Sequence, residues 1–348
     1  MEAPAPSDWP RLLPEPAFRG VIKQRCEDFF VEEIPAYEPC GSGEHLFLLV
    51  EKSGHTTPYL CRMLARRLGI SEFDIGIAGM KDRWAVTRQW ISIPAEHGNR
   101  LADFEMEGVR ILNCVPHTNK LKTGHLRGNR FRVVVRGPGE EALGDTRKRL
   151  SELAAKGVPN YYGEQRFGRD GDSLGRGLEI LSGRRKPKRG RVLRLELSAV
   201  QSLIFNRTLA ARIERGLFTR AIDGDIMVFE GGKKLFRCED PAAEQPRLDR
   251  FEIHPTGPLP GPQMMQANGA AGEIESEVIE SAGIDFSAFE RFRKLARGGR
   301  RPLRFRLSGA DIELVEGGIA LSFTLPAGAY ATVLLRELFE IEQHTDQG

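Results

Sequence analysis

The sequence predicts an α+β protein in which a middle region is inserted into a flanking domain. Three observations indicate this class. Strand-like runs dominate both ends of the 348-residue chain, the composition changes near Gly157, and helices mix with long loops in between. Segregated runs of strands and helices are typical of α+β folds rather than of a regular βαβ alternation. The length suits about two domains, at roughly 150 residues each.

The N-terminal region reads as short strands broken by turns. Residues Val21–Ile34 have an extended pattern, and His45–Lys52 is an apolar run that predicts a buried strand. A helix follows from Pro58, with Thr57 as its expected N-cap and Gly69 as its C-terminal stop.

Two strands and a helix are predicted before the composition changes. The strands are Arg88–Pro94 and Phe131–Arg136. The segment Glu140–Lys156 has acidic residues first and basic residues later, as the helix dipole favours, and predicts an amphipathic helix. The next stretch, GVPNYYGEQRFGRDGDSLGRG from Gly157, is predicted to be neither helix nor strand.

The second half combines helices, loops and a strand-rich tail. We predict a strand at Val192–Ser198, a helix at Ala199–Gly216, and long loops over the Pro-, Gly- and acid-rich Gly231–Gly272. A helix rich in Arg and Phe is expected at Phe286–Arg297. The tail shows strand patterns and is predicted to close with a helix at Tyr330–Gln343.

Composition excludes several classes of protein. The five cysteines are scattered and form no CxxC pair, which disfavours a disulfide framework and a zinc knuckle. No apolar run approaches the roughly 18 residues that a membrane span needs. The first residues show neither the basic nor the apolar region of a secretion signal. These features predict a cytoplasmic protein that does not enter a membrane.

Basic residues are concentrated in two places although the net charge is only +3. The run Arg184–Arg194 contains seven basic residues and no acidic one, and Arg291–Arg306 contains eight basic residues. Such clusters can neutralise the phosphates of a nucleic acid. On charge alone, a solvated loop and a solvated helix face explain them equally well.

Signatures of metal and nucleotide sites are weak or missing. The pairs Asp170/Asp172 and Asp223/Asp225 each flank a glycine, but no third ligand follows at EF-hand spacing, and Asp-Gly pairs are ordinary in turns. The sequence contains no HExxH, no GxSxG and no strand–GxGxxG–helix pattern. We therefore expect no metal and no cofactor.

Asp82 and several aromatic residues are the remaining candidates for chemistry. Asp82 lies in a loop between Lys81 and Arg83, where adjacent cations favour an ionised carboxylate. Its local features fit a charge-balanced surface turn better than a nucleophile. Aromatics such as Phe29 and Phe131 lie beside basic or amide residues and could stack on bases, although each one by itself is more typical of a core position.

Taken in order, eight segments resemble the tRNA pseudouridine synthase D (TruD) family. They are EDFFVEE at Glu27, GSGEHLFLLVEKSGHTT at Gly41, AGMKDRWAVTRQW at Ala78, LKTGHLRGNRF at Leu121, GVPNYYGEQRFG at Gly157, SAVQSLIFN at Ser198, HPTGPLPG at His254 and LPAGAYATVLLREL at Leu325. They run collinearly along nearly the whole chain.

The resemblance implies a fold and a domain arrangement. The fold would be a pseudouridine-synthase catalytic domain with a mixed, mostly antiparallel sheet. The catalytic domain would comprise residues 1–156 and 305–348, and a TruD-type α/β insertion domain would comprise residues 157–304.

The resemblance also implies roles for individual residues. Asp82 would be the catalytic aspartate, which reverses the reading from its local features. Phe29 would stack on the target uracil, Asn129 would contact the target nucleotide, and Phe131 would shape the pocket. Tyr330 would supply another aromatic ring.

Further basic residues would act around the site. Lys23 falls where the family carries a basic residue near the pocket. The candidates for gripping the RNA backbone are Arg184, Arg185, Lys186 and Lys188.

The implied reaction isomerises a uridine of tRNA, at position 13, to pseudouridine. It needs neither metal nor cofactor, and no obligate protein partner is evident. Asp82 would act either as a nucleophile at the sugar or as a base at the neighbouring ribose carbon. Two rival functions stay open at this point: an RNA-binding protein without catalysis, and a metal-dependent nuclease using the Asp-Gly-Asp pairs.

Overall fold

The computed structural model describes residues 9–101, 104–168, 171–188 and 190–343. These described residues form sixteen strands and seven α-helices. The strands are β1 (Arg19–Ile22), β2 (Phe29–Pro35), β3 (His45–Ser53), β4 (Gly76–Ile77), β5 (Val86–Pro94), β6 (Val109–His117), β7 (Leu126–Arg136), β8 (Val158–Pro159), β9 (Ile226–Phe229), β10 (Leu235–Arg237), β11 (Ile253–Leu259), β12 (Gly299–Pro302), β13 (Arg304–Phe305), β14 (Ser308–Val315), β15 (Gly318–Pro326) and β16 (Glu340–Gln343). The helices are α1 (Thr57–Leu68), α2 (Leu143–Lys156), α3 (Asp172–Leu181), α4 (Arg191–Glu214), α5 (Pro241–Asp249), α6 (Gly269–Ser281) and α7 (Ala331–Leu338).

The chain folds into two compact units. The sheet unit comprises the described residues of Pro16–Leu150, Leu307–Gly328 and Leu338–Gly348, and the central unit comprises those of Met1–Glu15, Ser151–Arg306 and Ala329–Glu337.

The central unit extends beyond the predicted 157–304 insertion to Ser151–Arg306, and two segments separate from it in sequence also pack with this unit. The backbone amide of Leu13 donates to the carboxylate of Glu337 at 3.0 Å. The Trp9 ring stacks on Tyr161 with the ring centroids 5.8 Å apart. These contacts explain why residues 9–15 and nearly all of helix α7 belong to this unit.

The sheet unit is built on one large mixed sheet. Its main strand order is β14-β15-β7-β2-β5-β3-β6, with β1, β16 and β4 attached at the sides. Only the β2–β5 and β1–β16 pairings are parallel; the others are antiparallel. The predicted α+β class with a mixed, mostly antiparallel sheet is therefore confirmed.

Helix α1 covers one face of this sheet. Its buried side, including Leu60, Leu64 and Leu68, packs with strand residues such as Leu48 and Ile91. A burial of this kind stabilises the fold by roughly 1.5–3 kcal/mol per large apolar side chain.

The ends of α1 differ slightly from the prediction. Gly69 ends the helix in the left-handed region, with φ of 68°, as expected. The N-cap is Thr56, whose side chain accepts from the Tyr59 amide, and not Thr57. The predicted cap at Thr57 is wrong because that side chain is buried and bonded elsewhere, as described below.

The central unit packs helices around a smaller sheet with the strand order β10-β9-β11-β12. Four predictions here are wrong. The stretch 157–177, predicted to be neither helix nor strand, contains β8 and the start of helix α3. Val192–Ser198 is the start of helix α4 instead of a strand, and Gly231–Gly272 contains β10, α5 and β11 instead of loops alone. The expected helix at Phe286–Arg297 is a short 3-10 helix that ends at Phe292.

The closing segment also differs from the prediction. Helix α7 ends at Leu338, and Glu340–Gln343 forms strand β16, which pairs in parallel with β1. The backbone groups of this segment complete the sheet edge beside β1. No helix of the described residues has both the length and the apolar character required to traverse a lipid bilayer.

Candidate active site

Asp82 lies in the loop between β4 and β5 of the sheet unit, with its side chain 36% exposed. Its carboxylate oxygen Oδ2 accepts a hydrogen bond from Lys23 Nζ at 2.7 Å. The other oxygen, Oδ1, has no hydrogen-bond partner among the described residues. One carboxylate oxygen is thus held by a cation while the second is available to a ligand.

Lys23 reaches this position through an unusual backbone conformation. Its φ of 61° places a non-glycine residue in the left-handed region, a conformation that surrounding structure must maintain and that clusters at functional sites. The indole Nε1 of Trp84 donates to the Lys23 carbonyl at 2.7 Å. The loop that carries Asp82 therefore also holds the backbone that presents Lys23.

Aromatic rings form the next layer of the site. The Lys23 ammonium lies 4.5 Å from the centroid of the Phe29 ring, within the range of a cation–π contact. Phe29 meets Phe131 edge to face at 6.1 Å, and Phe131 stacks on Phe323 at 5.3 Å. Phe29 is only 3% exposed, because these neighbours cover its ring.

Asn129 shares a sheet face with these rings. On β7 it lies opposite Glu33 of β2, and Phe131 lies opposite Val31. Because side chains alternate along a strand, Asn129 and Phe131 point to the same side. The Asn129 Oδ1 atom is buried and has no hydrogen-bond partner in the described part of the chain. An unsatisfied buried acceptor at this face is a suitable contact for a polar ligand atom.

A buried ion pair anchors the Asp82 loop beside this face. Lys81 Nζ donates to Glu33 Oε2 at 2.6 Å, and both side chains are almost fully buried. The second oxygen of Glu33 accepts from the Trp90 amide at 3.3 Å. The residue next to Asp82 is therefore fixed to the centre of the sheet.

Thr57 holds the same loop from the start of helix α1. Its hydroxyl accepts from the Lys81 backbone amide at 3.0 Å and donates to Gln89 Oε1 at 2.9 Å. These two bonds account for the capping role passing to Thr56. They also place a second support under the backbone of Lys81.

Lys52 holds the backbone of Asp82. It is fully buried, and its Nζ donates to the backbone carbonyls of Asp82 at 2.8 Å and His55 at 2.7 Å. Burial lowers the pKa of Lys52 to about 8, while the nearby Asp82 opposes this effect. Sequence reasoning missed Lys52, Glu33 and Thr57 as parts of the site.

The remaining predicted residues lie in the central unit. Tyr330 packs edge to face against Tyr162 at 6.4 Å, and burial raises the pKa of its hydroxyl. Its neighbours in this unit also include Gly163, where a Cβ atom would come within 2.9 Å of the Tyr330 ring. Sequence reasoning did not predict this packing.

The basic turn after α3 is exposed. The predicted backbone-gripping residues here are Arg184, Arg185, Lys186 and Lys188, all exposed. Arg185 pairs with Glu179 at 3.0 Å, and Arg184 donates to the Ser182 hydroxyl at 3.0 Å. Arg189 and Asp170 lie outside the described residues. Within the described ranges, no group of three or more His, Cys, Asp or Glu residues is placed to hold a metal ion.

Comparison with known proteins assigns the chain to a family. The family model for tRNA pseudouridine synthase D (TruD) matches residues 12–186 and 189–338. The chain belongs to the TruD family. This confirms the resemblance carried by the eight sequence segments, and the family isomerises uridine to pseudouridine in tRNA.

Individual TruD relatives match over nearly their whole length. A tRNA pseudouridine synthase D of Anaeromyxobacter dehalogenans (strain 2CP-1) is 46% identical over 329 residues, with 93% of each chain covered. One of Thermus thermophilus is 43% identical over 342 residues, covering 97% of this chain and 94% of the relative.

A solved TruD structure has the same fold. The crystal structure of a chain named tRNA pseudouridine synthase D from Methanosarcina mazei superimposes with a TM-score of 0.78 and 26% sequence identity. The match covers 98% of this chain and 99% of that chain.

Proposed function

We propose that this chain converts a uridine of tRNA, at position 13, to pseudouridine, with Asp82 as the catalytic residue. The observation that carries the proposal is the Asp82 carboxylate, paired through Oδ2 with Lys23 at 2.7 Å beside the Phe29 ring. Membership of the TruD family supports the reaction and the class of substrate.

The reaction is balanced without an outside reagent. The bond between ribose C1′ and uracil N1 breaks, the uracil turns, and a bond forms between C1′ and C5. C5 loses a proton and N1 gains one, so nothing is oxidised or reduced. Asp82 acts either as the nucleophile at C1′ or as the base at C2′, and both roles require an ionised carboxylate in contact with the ribose.

Asp82 is held in a manner suited to either role. Lys23 engages Oδ2, which leaves Oδ1 to face the sugar. Lys52 bonds the backbone carbonyl of Asp82, and Glu33 holds the side chain of Lys81, the residue before Asp82. A carboxylate with a fixed backbone loses little orientational freedom on reaching the transition state.

Phe29, Phe131 and Asn129 would hold the base. A uridine must first leave its stack in the RNA, which costs a few kcal/mol, and stacking on an aromatic ring offsets roughly 1–3 kcal/mol of this. The buried Oδ1 of Asn129 is an acceptor suited to the N3–H of uracil. Because N3 lies on the axis about which the ring exchanges N1 for C5, this contact can persist while the ring turns.

The RNA backbone would be bound outside the candidate active site around Asp82. The exposed turn Arg184–Lys188 offers basic side chains to backbone phosphates. Residues 157–304 would be the insertion domain that carries this turn, and residues 1–156 with 305–348 would be the catalytic domain.

Tyr330 would add an aromatic ring to the substrate site. The protein would act in the cytoplasm.

The position of the target tests the substrate proposal. The purified protein is incubated with a tRNA transcript, and pseudouridine is mapped with a carbodiimide reagent. We expect a single modification at position 13 and none in a transcript with cytidine there. Modification at another position would contradict the proposed target, while a lack of pseudouridine with intact RNA binding would favour a binding protein without catalysis.

A further inference from the structure

The two basic runs of the sequence meet at one cavity in the central unit. Its volume is about 480 Å³. The described residues that line it are Arg194, Gln201, Leu259, Lys294, Leu295, Arg297 and Gly298. Arg194 ends the first run and the other two cations belong to the second, so residues about a hundred positions apart in sequence share one concave surface.

The cations of this cavity lack a counter-ion among the residues that the structure describes. Arg194, Lys294 and Arg297 are exposed, and none of them has an ion pair with any described residue. The described residues lining the cavity include no acidic side chain. Nearby Glu196, on the same helix as Arg194, is buried and does not line it. Three positive charges around one cavity repel each other, and an anion bound between them would offset this repulsion.

The walls of the cavity are rigid where they meet. Gly298 contacts Gly261 so closely that a Cβ atom on either glycine would come within 2.7 Å of the other's backbone. The Gln263 amide donates to the Arg297 carbonyl at 2.7 Å, which ties the two segments together. The second basic run is therefore presented by a backbone that is already ordered.

Gln201 adds a polar atom to the cationic wall. Its amide nitrogen Nε2 donates to the Pro260 carbonyl at 2.7 Å. That bond orients the side chain and leaves Oε1 as an acceptor. Leu259 and Leu295 supply apolar surface beside it. The cavity thus combines cations, one hydrogen-bond acceptor and an apolar wall.

We propose that this cavity binds one ribose–phosphate unit of the RNA backbone. Arg194, Lys294 and Arg297 contact the phosphate oxygens, Gln201 Oε1 accepts from the ribose 2′-hydroxyl, and the leucines pack against the sugar. The 2′-hydroxyl is the group that distinguishes RNA from DNA. The assignment rests on the proposed function, because that function supplies an RNA as the substrate.

The salt dependence of binding tests the cationic part. The triple variant Arg194→Ala/Lys294→Ala/Arg297→Ala is compared with a control that removes three exposed cations elsewhere in the unit, Arg220→Ala/Lys233→Ala/Lys234→Ala. The dissociation constant for tRNA is measured over a series of salt concentrations. The logarithm of the association constant falls as the logarithm of the salt concentration rises, and each lost phosphate contact makes this slope less steep by about 0.7–0.9. We expect weaker binding and a slope reduced by about two in the site variant, and little change in the control.

The Gln201→Leu variant tests recognition of the sugar. We expect its affinity for tRNA to fall while its affinity for a DNA strand of the same sequence stays that of the wild type. An equal loss on both strands, an unchanged affinity for tRNA, or an equal salt slope in the two triple variants would overturn the proposal. Tight binding of adenosine monophosphate that tRNA does not displace would assign the cavity to a free nucleotide instead.

Binding is measured here without reference to product. A failure of the proposed catalysis would be a lack of pseudouridine while tRNA binding stays intact, and a failure of this site would be a tRNA affinity and salt slope that the site variants leave unchanged. The two proposals are therefore tested separately.

Discussion

Lys52 and Asp82 are joined by a hydrogen bond from the buried Lys52 Nζ to the Asp82 backbone carbonyl, at 2.8 Å. Lys23 holds the side chain of the same aspartate from the other direction, at 2.7 Å. Two lysines thus restrain one residue, one through its backbone and one through its carboxylate. The carboxylate keeps its place because the loop beneath it is bonded to the core.

The depressed pKa of Lys52 predicts a pH dependence of stability. Its pKa is about 8 in the fold against an ordinary value of 10.5. Between these values the unfolded chain binds a proton that the folded chain does not, so this group makes the free energy of unfolding rise with pH. The contribution of a single group is at most about 1.4 kcal/mol per pH unit.

The variant Lys52→Met tests this prediction. Denaturant unfolding is measured from pH 7 to 10 for wild type and variant, and the difference isolates the lysine. We expect the wild type to gain stability relative to the variant as pH rises. A difference that stays flat, or that changes in the other direction, would show that Lys52 titrates normally in the fold.

Breaking the buried ion pair of Glu33 and Lys81 is predicted to lower the free energy of unfolding by a large amount. Glu33→Gln leaves the Lys81 ammonium buried without its counter-charge, which costs about 3–5 kcal/mol. We expect the double variant Glu33→Gln/Lys81→Met to recover part of this loss because it removes the unpaired charge. Glu313→Gln, which breaks an exposed pair with Arg132, is the control and is expected to change stability by less than about 1 kcal/mol.

Urea unfolding of the four proteins gives the comparison. A Glu33→Gln variant as stable as the Glu313→Gln control would contradict the anchoring role that we assign to this pair.

Asn129 predicts a separation of stability from activity. Its Oδ1 has no partner among the described residues, so Asn129→Leu removes a buried polar atom whose desolvation costs about 1–3 kcal/mol. We expect stability to be kept or raised and pseudouridine formation to fall at least tenfold.

Asn206→Leu is the matched control. Asn206 is fully buried, whereas Asn129 is half-buried with only its Oδ1 atom shielded, and Asn206 bonds the backbone amide of Tyr162 at 2.9 Å and its carbonyl at 3.0 Å. We expect this variant to lose stability because both backbone groups become unsatisfied. Equal behaviour of the two variants in unfolding and in turnover would remove the basis for the role of Asn129.

The exposed basic turn predicts a further change in salt dependence. Neutralising Arg184, Arg185, Lys186 and Lys188 together is expected to weaken tRNA binding and reduce its salt slope, as each phosphate contact adds to the slope. Arg185 already pairs with Glu179, so we expect its single variant to have the smallest effect of the four. A salt slope equal to that of the wild type would show that this turn faces away from the RNA.

Local sequence patterns predicted much of the fold. They failed where the same residues fit both the two-residue period of a strand and the 3.6-residue period of a helix. In Val192–Ser198, alternating leucines indicate a strand, whereas Leu193, Leu197 and Val200 are spaced for one helix face and are buried on α4. At the C-terminus, Glu340–Gln343 is a strand because β1 provides a pairing edge. Such a partner, distant in sequence, leaves no local signal.

The site was predictable only in part for a related reason. The family resemblance named Asp82, Phe29 and Lys23, which the fold brings together. The alternation of β3 could have found Lys52, because it shares strand parity with the buried Leu48 and Val50. Its partner is a backbone carbonyl, which no residue type in the sequence reveals.

The central claim is that the Asp82 carboxylate performs the isomerisation, and Asp82→Asn tests it most directly. The variant keeps the size of the side chain and removes its charge, while Asp311→Asn, at an exposed aspartate of the same unit, serves as the control. Pseudouridine at each position of the tRNA is measured after equal times at saturating enzyme. We predict no product with Asp82→Asn, tRNA affinity within a few-fold of wild type, and full activity of the control; product formation by Asp82→Asn at the wild-type rate would contradict the account.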